Sequence, residues 1–597
     1  MISFQKPKAE QFFQTTVIQQ FAVNAEESQL MFSSNMNGAF NIWGMDLPHT
    51  FPYPLTFINQ NCHGIHYAEN SGFAVVSFDE NGDENSQLYA MPPEGGQLVP
   101  LRTAEGERHF FGSLSEDGKR LYYTTTRDNA TFLNTYCYDL EKDTEKKLIE
   151  GSGGATYFAA RSPEEQTIAF IRHFANTYVL GYLLKGGREV QLTPENGEQH
   201  TVSDMVFTGE KDMYLLTNYG EDFTYLAHFD VENEQFTKVI NAPEGEFSSL
   251  HFDKDRKKLY LSASLGVEDL LYVYSLERNT LDNIETPVDV IEQITIGKSG
   301  AVYLMGRRAV EPFNIFKLAD SSGNWERLTS FKVPGIAEES LVDPDVIRYP
   351  SYDGLEIEAL YFRAKPDVDN GYLIHWPHGG PQASERKMFR ALFQLLLNRG
   401  YSIIAPNFRG STGYGLSFMK MVEGDWGYGP RLDNVKAIDY MIEQGYADKD
   451  KILLMGGSYG GYMALLLHGR HADYYQAVVD IFGVSNLFSF VESVPEHWKP
   501  GMKQWVGDPE ADKAKFTEDT PITYLDSMTK PMLVIQGAND PRVVKAESDQ
   551  IVEALKEKGS AVEYIVLEDE GHGFSKKENE INVYKSVLAF FEKYTKN

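Results

Sequence analysis

The sequence predicts two folds in one chain: an N-terminal all-β propeller of seven blades and a C-terminal α/β domain built on a largely parallel sheet. Three observations lead to this prediction: a length of 597 residues, a strand pattern that repeats through the first half, and an alternation of strands and helices in the second. A single hydrophobic core stops growing near about 250–300 residues, so a chain of this length is expected to divide. We place the propeller in residues 1–335 and the α/β domain in residues 336–597.

The propeller prediction comes from seven similar units. Each unit has a turn rich in Gly, Asp, Asn or Glu, then a β-rich strand, a polar linker and a second strand rich in Tyr, Phe and Leu. The units recur at roughly 43–48 residues, close to the period of about 40–50 residues that is typical of propeller blades. The alternative, an array of two-sheet sandwiches, fits so even a period less well. The first strands of the units begin near Leu30, Phe73, Leu121, Ile168, Met213, Leu259 and Val302.

The second half begins with a hairpin-like segment at 346–364 and then alternates short apolar strands with amphipathic helices. Such alternation predicts parallel strands covered by helices on both faces. Residues 383–400 are expected to form one of these helices, since Phe389, Leu392, Phe393 and Leu396 share a face. The predicted strands lie at 372–377, 401–408, 451–456, 477–483, 531–537 and 562–567.

Charge and cysteine content exclude several classes of protein. The chain has 55 basic and 86 acidic residues, a net charge of −31, and no basic run, so nucleic acid and anionic membranes are not expected partners. Its two cysteines, Cys62 and Cys137, are too few for a disulfide scaffold or a cysteine-based metal site. The first residues lack the apolar stretch of a signal peptide, and no run of about 18 apolar residues occurs. We therefore expect a cytoplasmic protein without a membrane span.

The most specific motif is GGSYGG at residues 456–461, which fits the pattern G-x-S-x-G. An apolar strand precedes it and a helical segment follows it, which is the setting of a nucleophile elbow. The elbow holds a serine in a strained turn above a parallel sheet, and small neighbours make room for that turn. The pattern therefore predicts an α/β-hydrolase domain with Ser458 as its nucleophile. The alternative, a glycine-rich turn of a nucleotide-binding fold, lacks both G-x-G-x-x-G and the lysine of a P-loop.

Two further residues complete a catalytic triad in the chain order Ser, Asp, His that this fold uses. Asp540 follows the predicted strand at 531–537, with Asn539 as its rival. His572 follows the next predicted strand, lies between two glycines, and is the only histidine after Asp540. We expect neutral His572 to take the proton of Ser458 and return it to the leaving group, while Asp540 holds the imidazole tautomer.

Acyl transfer also needs donors for the developing oxyanion. One is expected to be the backbone N–H of Tyr459, which follows the nucleophile. The other is expected in the loop His378–Gly379–Gly380–Pro381, where glycines let the backbone approach a substrate oxygen. His378 is predicted to brace this loop, because the triad already supplies a base. This chemistry requires no metal and no organic cofactor.

Together these motifs resemble the prolyl oligopeptidase family of serine peptidases, and most of all its acylaminoacyl-peptidase-like subgroup. The resemblance rests on GGSYGG, on HGGP, on NFRGSTGYG at 407–415 and on DPRV at 540–543. It implies that the propeller covers the active site and admits short peptides rather than folded proteins. It also implies that Gly380 is the second oxyanion donor and that Arg542 binds a substrate carbonyl one residue before the cleaved site.

The family places its specificity pocket in the segment after the strand that follows the elbow helix. Here that segment is rich in apolar side chains that are expected to form either the pocket or the core, which favours an apolar residue at the cleaved position. The arginine motif departs from the family's usual Arg-Val-Pro, since Val544 follows Val543. The pocket candidates are Phe482, Val484, Phe488 and Trp498, with Leu487, Phe490 and Trp505 beside them.

Dipeptidyl-peptidase members of the family hold a free N-terminus with a glutamate pair in the propeller. The only pair considered for that role, Glu26–Glu27, lies in an early turn before a strand and is expected to be structural. Dipeptidyl specificity is therefore not predicted from the sequence.

The leading hypothesis is a serine peptidase that hydrolyses short peptides, including N-acylated peptides or peptides with an apolar residue before the cleaved bond. The alternative is a carboxylesterase or amidase acting on small non-peptide substrates, since the same triad serves both. A third hypothesis, a binding protein that uses the propeller face, is disfavoured by the complete set of Ser458, Asp540, His572 and HGGP. The sequence leaves open whether the chain forms a homo-oligomer.

Overall fold

The first half of the chain folds as a ring of seven antiparallel sheets. In a computed structural model of the protein, the description covers residues 6–319 and 323–595. Within these residues each of the seven sheets has four strands, all from one contiguous stretch of chain. The predicted seven-bladed propeller is therefore confirmed.

The strands of the seven blades follow one another in chain order. Blades 1 to 4 contain β1 (Ile18–Val23), β2 (Gln29–Ser34), β3 (Asn41–Asp46), β4 (Pro52–Pro54); β5 (Cys62–Tyr67), β6 (Ala74–Phe78), β7 (Gln87–Met91), β8 (Val99–Arg102); β9 (His109–Leu114), β10 (Arg120–Thr125), β11 (Asn134–Asp139), β12 (Thr144–Glu150); and β13 (Ala155–Arg161), β14 (Thr167–Ala175), β15 (Tyr178–Lys185), β16 (Arg188–Gln191). Blades 5 to 7 contain β17 (Val202–Phe207), β18 (Asp212–Thr217), β19 (Tyr225–Asp230), β20 (Gln235–Asn241); β21 (Glu246–Asp253), β22 (Lys258–Leu265), β23 (Glu268–Ser275), β24 (Thr280–Ile284); and β25 (Val290–Ile296), β26 (Val302–Arg308), β27 (Glu311–Leu318), β28 (Trp325–Arg327).

The two strands that the sequence predicts in each unit are the middle strands of each blade. Both of their faces pack against neighbouring blades, so their side chains are buried, as Leu121–Thr125 of β10 illustrate. The first strands lie innermost, where β1 contacts both β5 and β25 around the ring. The fourth strands lie at the outer edge, and β12 exposes most of its residues to solvent.

Side chains rather than a shared strand close the ring between blade 7 and blade 1. Glu27 accepts hydrogen bonds from the backbone N–H of Ser299 (2.6 Å), from its hydroxyl (2.9 Å) and from the Tyr303 hydroxyl (2.9 Å). The Gln293 amide pairs with the backbone of Phe21 through two hydrogen bonds of 2.7 and 3.0 Å. Glu27 is therefore structural, as the sequence indicated.

The second half is built on one eight-stranded sheet in the order β29-β30-β32-β31-β33-β34-β35-β36. The β29–β30 hairpin is antiparallel, as is the pairing of β30 with β32, and the remaining strands are parallel. This is the α/β-hydrolase architecture that the elbow motif predicts. The strands are β29 (Asp345–Pro350), β30 (Glu356–Phe362), β31 (Leu373–His375), β32 (Ser402–Asn407), β33 (Ile452–Gly457), β34 (Val478–Ile481), β35 (Met532–Gly537) and β36 (Val562–Leu567).

Helices cover both faces of this sheet. They are α2 (Ala391–Asn398), α3 (Leu416–Lys420), α4 (Gly429–Glu443), α5 (Tyr459–His471), α6 (Leu487–Ser493), α7 (Lys499–Trp505), α8 (Lys513–Asp519), α9 (Lys545–Glu557) and α10 (Lys577–Thr595), with 3-10 turns at Glu338–Ser340, Ala472–Tyr474 and Pro521–Ser527. In residues 6–319 and 323–595, no helix has both the length and the apolar character that crossing a membrane would require.

Two segments differ from the sequence prediction. Residues 9–13, which fall in the range assigned to the propeller, form helix α1 (Ala9–Phe13), and this helix packs against α2 and α10 with Phe12 and Phe13 buried among their apolar residues. The predicted helix at 383–400 begins only at Ala391. Before that point the backbone N–H of Lys387 bonds to Val267 of the propeller (2.9 Å), so a contact between the domains replaces the first helical turns.

Candidate active site

Ser458 lies in the tight turn between β33 and α5. Its backbone has φ +59° and ψ −122°, in the left-handed region that a residue with a side chain rarely adopts. Such strain persists only where the surrounding structure holds it, and it is typical of functional turns. The first turn of α5 follows directly, so backbone N–H groups at the helix N-terminus surround the serine.

The structure brings Ser458, His572 and Asp540 together at the C-terminal edge of the parallel strands. The Nε2 atom of His572 lies 2.9 Å from the Ser458 hydroxyl oxygen. The Nδ1 atom of the same ring lies 2.6 Å from Oδ2 of Asp540. With its proton on Nδ1, the imidazole donates to Asp540 and accepts from Ser458. This arrangement lets the ring take the hydroxyl proton of the serine.

The Asp540 carboxylate is fully buried and held by backbone donors. Its Oδ1 atom accepts from the N–H groups of Arg542 and Val543, each at 2.9 Å. These bonds leave Oδ2 directed at the imidazole. Asn539, the rival of Asp540, instead donates to the carbonyl of Glu568 (3.0 Å) and takes no part in the arrangement.

The loop His378–Pro381 passes close beside Ser458. A Cβ atom on Gly379 would lie 3.4 Å from Ser458 Cβ, so glycine allows the backbone to approach the serine. His378 braces the loop, as predicted: its Nδ1 bonds to the Gly379 carbonyl (2.7 Å) and its Nε2 to Ser411 (2.9 Å). Burial lowers the pKa of His378 to about 4, so its ring is neutral. Gly380 and Tyr459 both line the cavity that contains Ser458.

That cavity has a volume of about 100 Å³ and mostly aromatic walls. Of the predicted pocket residues, Val484, Trp498 and Arg542 line it. Trp426, which no sequence motif marks, also lines it, and its carbonyl accepts a hydrogen bond from the Tyr459 hydroxyl (2.6 Å). The rest of the wall consists of Val543 and of Phe490 and Trp505, which the sequence also offered as pocket candidates.

Two of the predicted pocket residues lie elsewhere. Phe482 packs on the imidazole of His572, with ring centroids 4.5 Å apart, and therefore supports the base instead of lining the pocket. Phe488 is half-buried and packs on Phe516, with ring centroids 5.3 Å apart. The local sequence did not separate these two residues from Phe490, because all three lie in one apolar segment.

A wider cavity of about 310 Å³ adjoins the first and lies between the two domains. The two share Gly380, Trp498 and Trp505 in their walls. The propeller supplies Tyr157, His173 and Asn176 to the wider cavity, among other residues. The propeller and the hydrolase domain thus enclose the space that leads to Ser458.

A propeller carboxylate reaches the edge of the Ser458 cavity. Glu84 pairs with Nε of Arg542 at 2.6 Å and with Arg108 at 3.3 Å. Its side chain is 14% exposed, and that of Arg542 is 44% exposed. Arg542 uses Nε toward Glu84, and among residues 6–319 and 323–595 its two Nη groups have no hydrogen-bond partner. Sequence analysis missed Glu84, since no motif marks it.

Glu84 belongs to a propeller loop, residues 79–85, that contacts the loops carrying Asp540 and His572. The Asn81 carbonyl accepts from Asn539 (3.4 Å), and the Asn81 side chain accepts from Lys576 (3.0 Å). The backbones of Gly82 and Gly571 touch, since a Cβ atom on either would fall within 3.0 Å of the other. One short propeller segment therefore abuts both catalytic loops.

Comparison with known proteins gives a consistent picture. Residues 387–597 match the model of the prolyl oligopeptidase family. The chain is 42% identical over 596 residues to dipeptidyl aminopeptidase BIII of Pseudoxanthomonas mexicana, covering 93% of this chain and 84% of that protein. It is 37% identical over 580 residues to dipeptidyl peptidase family member 6 of Caenorhabditis elegans, covering 86% of this chain and 76% of that protein.

Among solved structures, the chain is similar to a puromycin-hydrolysing peptidase of Mycobacterium tuberculosis, with a TM-score of 0.86 and 20% sequence identity. The similarity covers 99% of this chain and 97% of that one. At this level of identity the likeness concerns the fold, including the pairing of a propeller with a hydrolase domain.

Proposed function

The chain belongs to the prolyl oligopeptidase family and is a serine-type peptidase; on that premise we propose that it releases dipeptides from the free N-termini of short peptides. The observation that carries the proposal is the carboxylate of Glu84, which pairs with Arg542 at the edge of the cavity that contains Ser458. The two relatives named as dipeptidyl peptidases, each matched over most of its length, support the same conclusion.

The proposed mechanism starts with Ser458 as nucleophile. His572 takes the hydroxyl proton as the serine oxygen attacks the carbonyl carbon, and the N–H groups of Tyr459 and Gly380 stabilise the oxyanion. Collapse of the tetrahedral intermediate breaks the peptide bond, and His572 gives the proton to the leaving amine. Water then attacks the acyl-enzyme by the same route, while Asp540 stabilises the imidazolium that forms in each half.

Arg542 and Glu84 would position the N-terminal half of the substrate. The free Nη groups of Arg542 donate to the carbonyl before the scissile residue, and Glu84 accepts the α-ammonium. An ammonium at this point limits the acyl side of the substrate to two residues, because a longer peptide would place uncharged backbone beside Glu84. The aromatic cavity then receives an apolar side chain at the cleaved position.

Anilide substrates test this proposal directly. We expect Ala-Phe-p-nitroanilide to be cleaved with kcat/KM about 10- to 100-fold above that of its N-acetyl form, because the acetyl group removes one charged hydrogen bond. Phe-p-nitroanilide should be cleaved far more slowly, and Ser458→Ala should abolish all cleavage. Higher efficiency on the N-acetyl form would indicate an acylaminoacyl-type enzyme instead.

A matched pair of variants examines Glu84 itself. Glu84→Gln should remove most of the preference for the free amine, and cleavage of the N-acetyl substrate should fall much less, only as far as Arg542 depends on Glu84 for its position. Glu80→Gln, an exposed residue of the same loop, should retain the preference. If both variants keep the wild-type ratio, Glu84 does not bind the N-terminus.

A further inference from the structure

A separate cavity of about 190 Å³ lies where helix α1, blade 7 and the hydrolase domain meet. None of its lining residues lines the cavity that contains Ser458. It is several times larger than the roughly 30 Å³ that one water molecule occupies. Its polar lining comes from Thr15, Arg307, Arg390, Glu580 and Tyr584.

Two arginines give one part of this cavity unused hydrogen-bond donors. Arg307 donates to Glu292 (2.6 Å) and to the Phe389 carbonyl (3.4 Å), while its Nε has no partner among residues 6–319 and 323–595. Arg390 donates to Glu385 through Nε (2.7 Å) and Nη2 (3.1 Å), which leaves Nη1. The pKa of Arg307 is lowered, chiefly by burial and further by repulsion from Arg390, against the attraction of Glu292. An anion between the two guanidinium groups would relieve that repulsion.

An acidic group and a phenol lie in the same cavity. Burial raises the pKa of Glu580 to about 7, against the effect of Lys577. The pKa of Tyr584 is raised by burial and then by Glu580, and is lowered by Arg390, so these three groups lie near one another. Within the described part of the chain, the buried Thr15 hydroxyl has no hydrogen-bond partner, and the Glu580 carboxyl and the Tyr584 hydroxyl line the same cavity. Buried polar groups are almost always paired, so the unpaired Thr15 hydroxyl and Arg307 Nε in the walls of one cavity indicate a missing partner.

The remaining walls are apolar. The Phe313 ring lies 4.1 Å from the guanidinium carbon of Arg307, and the Trp376 ring lies 5.9 Å from that of Arg390. Phe12 and Leu392 complete this side of the cavity. The space therefore combines spare cationic donors, a carboxyl group and an aromatic surface.

We propose that this cavity binds an α-amino acid or a dipeptide in its zwitterionic form. The carboxylate of the ligand lies between Arg307 and Arg390, its ammonium group faces Glu580 and Tyr584, and its side chain packs on Phe313 and Trp376. The arginines, Glu580 and the aromatic rings of this cavity identify the class of ligand independently of the catalytic mechanism. The further statement that this ligand is a product of the enzyme, held away from Ser458, rests on the proposed function.

The test uses the full chain with Ser458 blocked by a fluorophosphonate, so that ligands cannot bind in the catalytic cavity. L-phenylalanine is titrated by calorimetry beside 3-phenylpropionate, which lacks the ammonium, and phenethylamine, which lacks the carboxylate. We expect saturable binding of L-phenylalanine and at least tenfold weaker binding of both analogues, since each loses a charged hydrogen bond. Absence of saturable L-phenylalanine binding would overturn the proposal.

Variants locate the binding. Glu580→Gln should weaken the binding of L-phenylalanine at least tenfold and leave the binding of 3-phenylpropionate unchanged. Glu578→Gln, at an exposed position of the same helix, should change the binding of neither compound. Arg307→Met should weaken both acids, with Arg308→Met as its control. Because Arg307→Met could unfold the chain, the nearly isosteric Glu580→Gln decides: equal binding to this variant and to wild type overturns the assignment.

The two proposals fail separately. If the fluorophosphonate does not label Ser458, the proposed mechanism is wrong, and the same titrations on unlabelled wild-type and Glu580→Gln protein still decide the second cavity. If labelling succeeds and no ligand binds, only the second cavity is excluded.

Discussion

At the scale of single residues, Asp480 is completely buried, and one of its two carboxyl oxygens lacks a hydrogen-bond partner in the described part of the chain. It lies in β34 beneath the elbow helix, where Oδ1 accepts from the N–H of Gly483 (2.9 Å). Its Oδ2 has no partner among residues 6–319 and 323–595. Burial raises the pKa of Asp480 to about 7, against that one hydrogen bond. Below about pH 7 the folded protein therefore holds Asp480 mainly in its protonated form.

This shift predicts how stability depends on pH. Asp480 releases its proton at about pH 3.9 in the unfolded chain and at about pH 7 in the folded chain. The free energy of unfolding of the wild type therefore falls as pH rises between these two values. Asp480→Asn removes the loss. Its free energy of unfolding relative to wild type should therefore be higher at pH 8 than at pH 5, by on the order of 2 kcal/mol at about 1.4 kcal/mol per pKa unit.

Urea unfolding at the two pH values measures this difference. Asp473→Asn, at an exposed position, serves as the control. If Asp480→Asn and wild type differ in free energy of unfolding by the same amount at pH 5 and at pH 8, the raised pKa of Asp480 is contradicted.

At the scale of elements, the β33–α5 elbow depends on glycines at particular points. A Cβ atom on Gly456 would fall within 3.0 Å of the Gly460 carbonyl oxygen, which is backbone and cannot move aside. A Cβ atom on the adjacent Gly457 would make only ordinary contact, 3.6 Å from the Phe482 ring. An alanine side chain should therefore be tolerated at Gly457 but not at Gly456.

We expect Gly456→Ala to destabilise the protein by about 2 kcal/mol or more, in the range of overpacked cores, and to displace Ser458. Gly457→Ala should remain folded and labelled by fluorophosphonate. Thermal unfolding and the rate of labelling measure both effects, and equal behaviour of the two variants would argue against this account of the turn.

The same scale shows what the sequence could predict. The middle strands of each blade were found because both faces are buried, which leaves runs of apolar residues such as Leu121–Tyr123. Inner strands such as β21 mix buried apolar residues with half-buried or exposed polar ones, and outer strands such as β12 are largely exposed. Neither gives a clear alternation, so their boundaries depend on packing between blades.

The residues of the active site likewise fall into those that the sequence could predict and those that it could not. Ser458, Asp540 and His572 each follow a strand in a local motif, so the sequence could propose them and the sheet topology brings them together. Glu84 and Gly82 reach the same place from a propeller loop with no motif. Only the docking of two domains relates them to residues more than 350 positions later.

At the scale of the whole molecule, the contact between Gly82 and Gly571 joins the propeller to the loop that carries His572. Gly82→Ala should push this loop away and lower kcat at least tenfold, because displacements near 1 Å can cost about 100-fold in rate. Gly106→Ala is the matched control: its φ of +74° resembles the +78° of Gly82, but no atom lies within 4 Å of its Cβ position.

Steady-state kinetics on a dipeptidyl anilide compares the two variants. Both should lose similar stability from backbone strain, since each places alanine at positive φ, and Gly82→Ala should lose more in total because its Cβ also meets the backbone of Gly571. Equal kcat values would show that the propeller loop does not position His572.

The placement of helix α1 has a consequence for how the protein is made. Each blade uses consecutive residues and is able to pair as it leaves the ribosome, since domains generally form from the N-terminus during translation. Phe12 and Phe13, by contrast, are buried against α2 and α10, which are synthesised hundreds of residues later. Helix α1 is thus covered only after the hydrolase domain has been synthesised, and until then Phe12 and Phe13 lack the apolar residues of α2 and α10 that bury them.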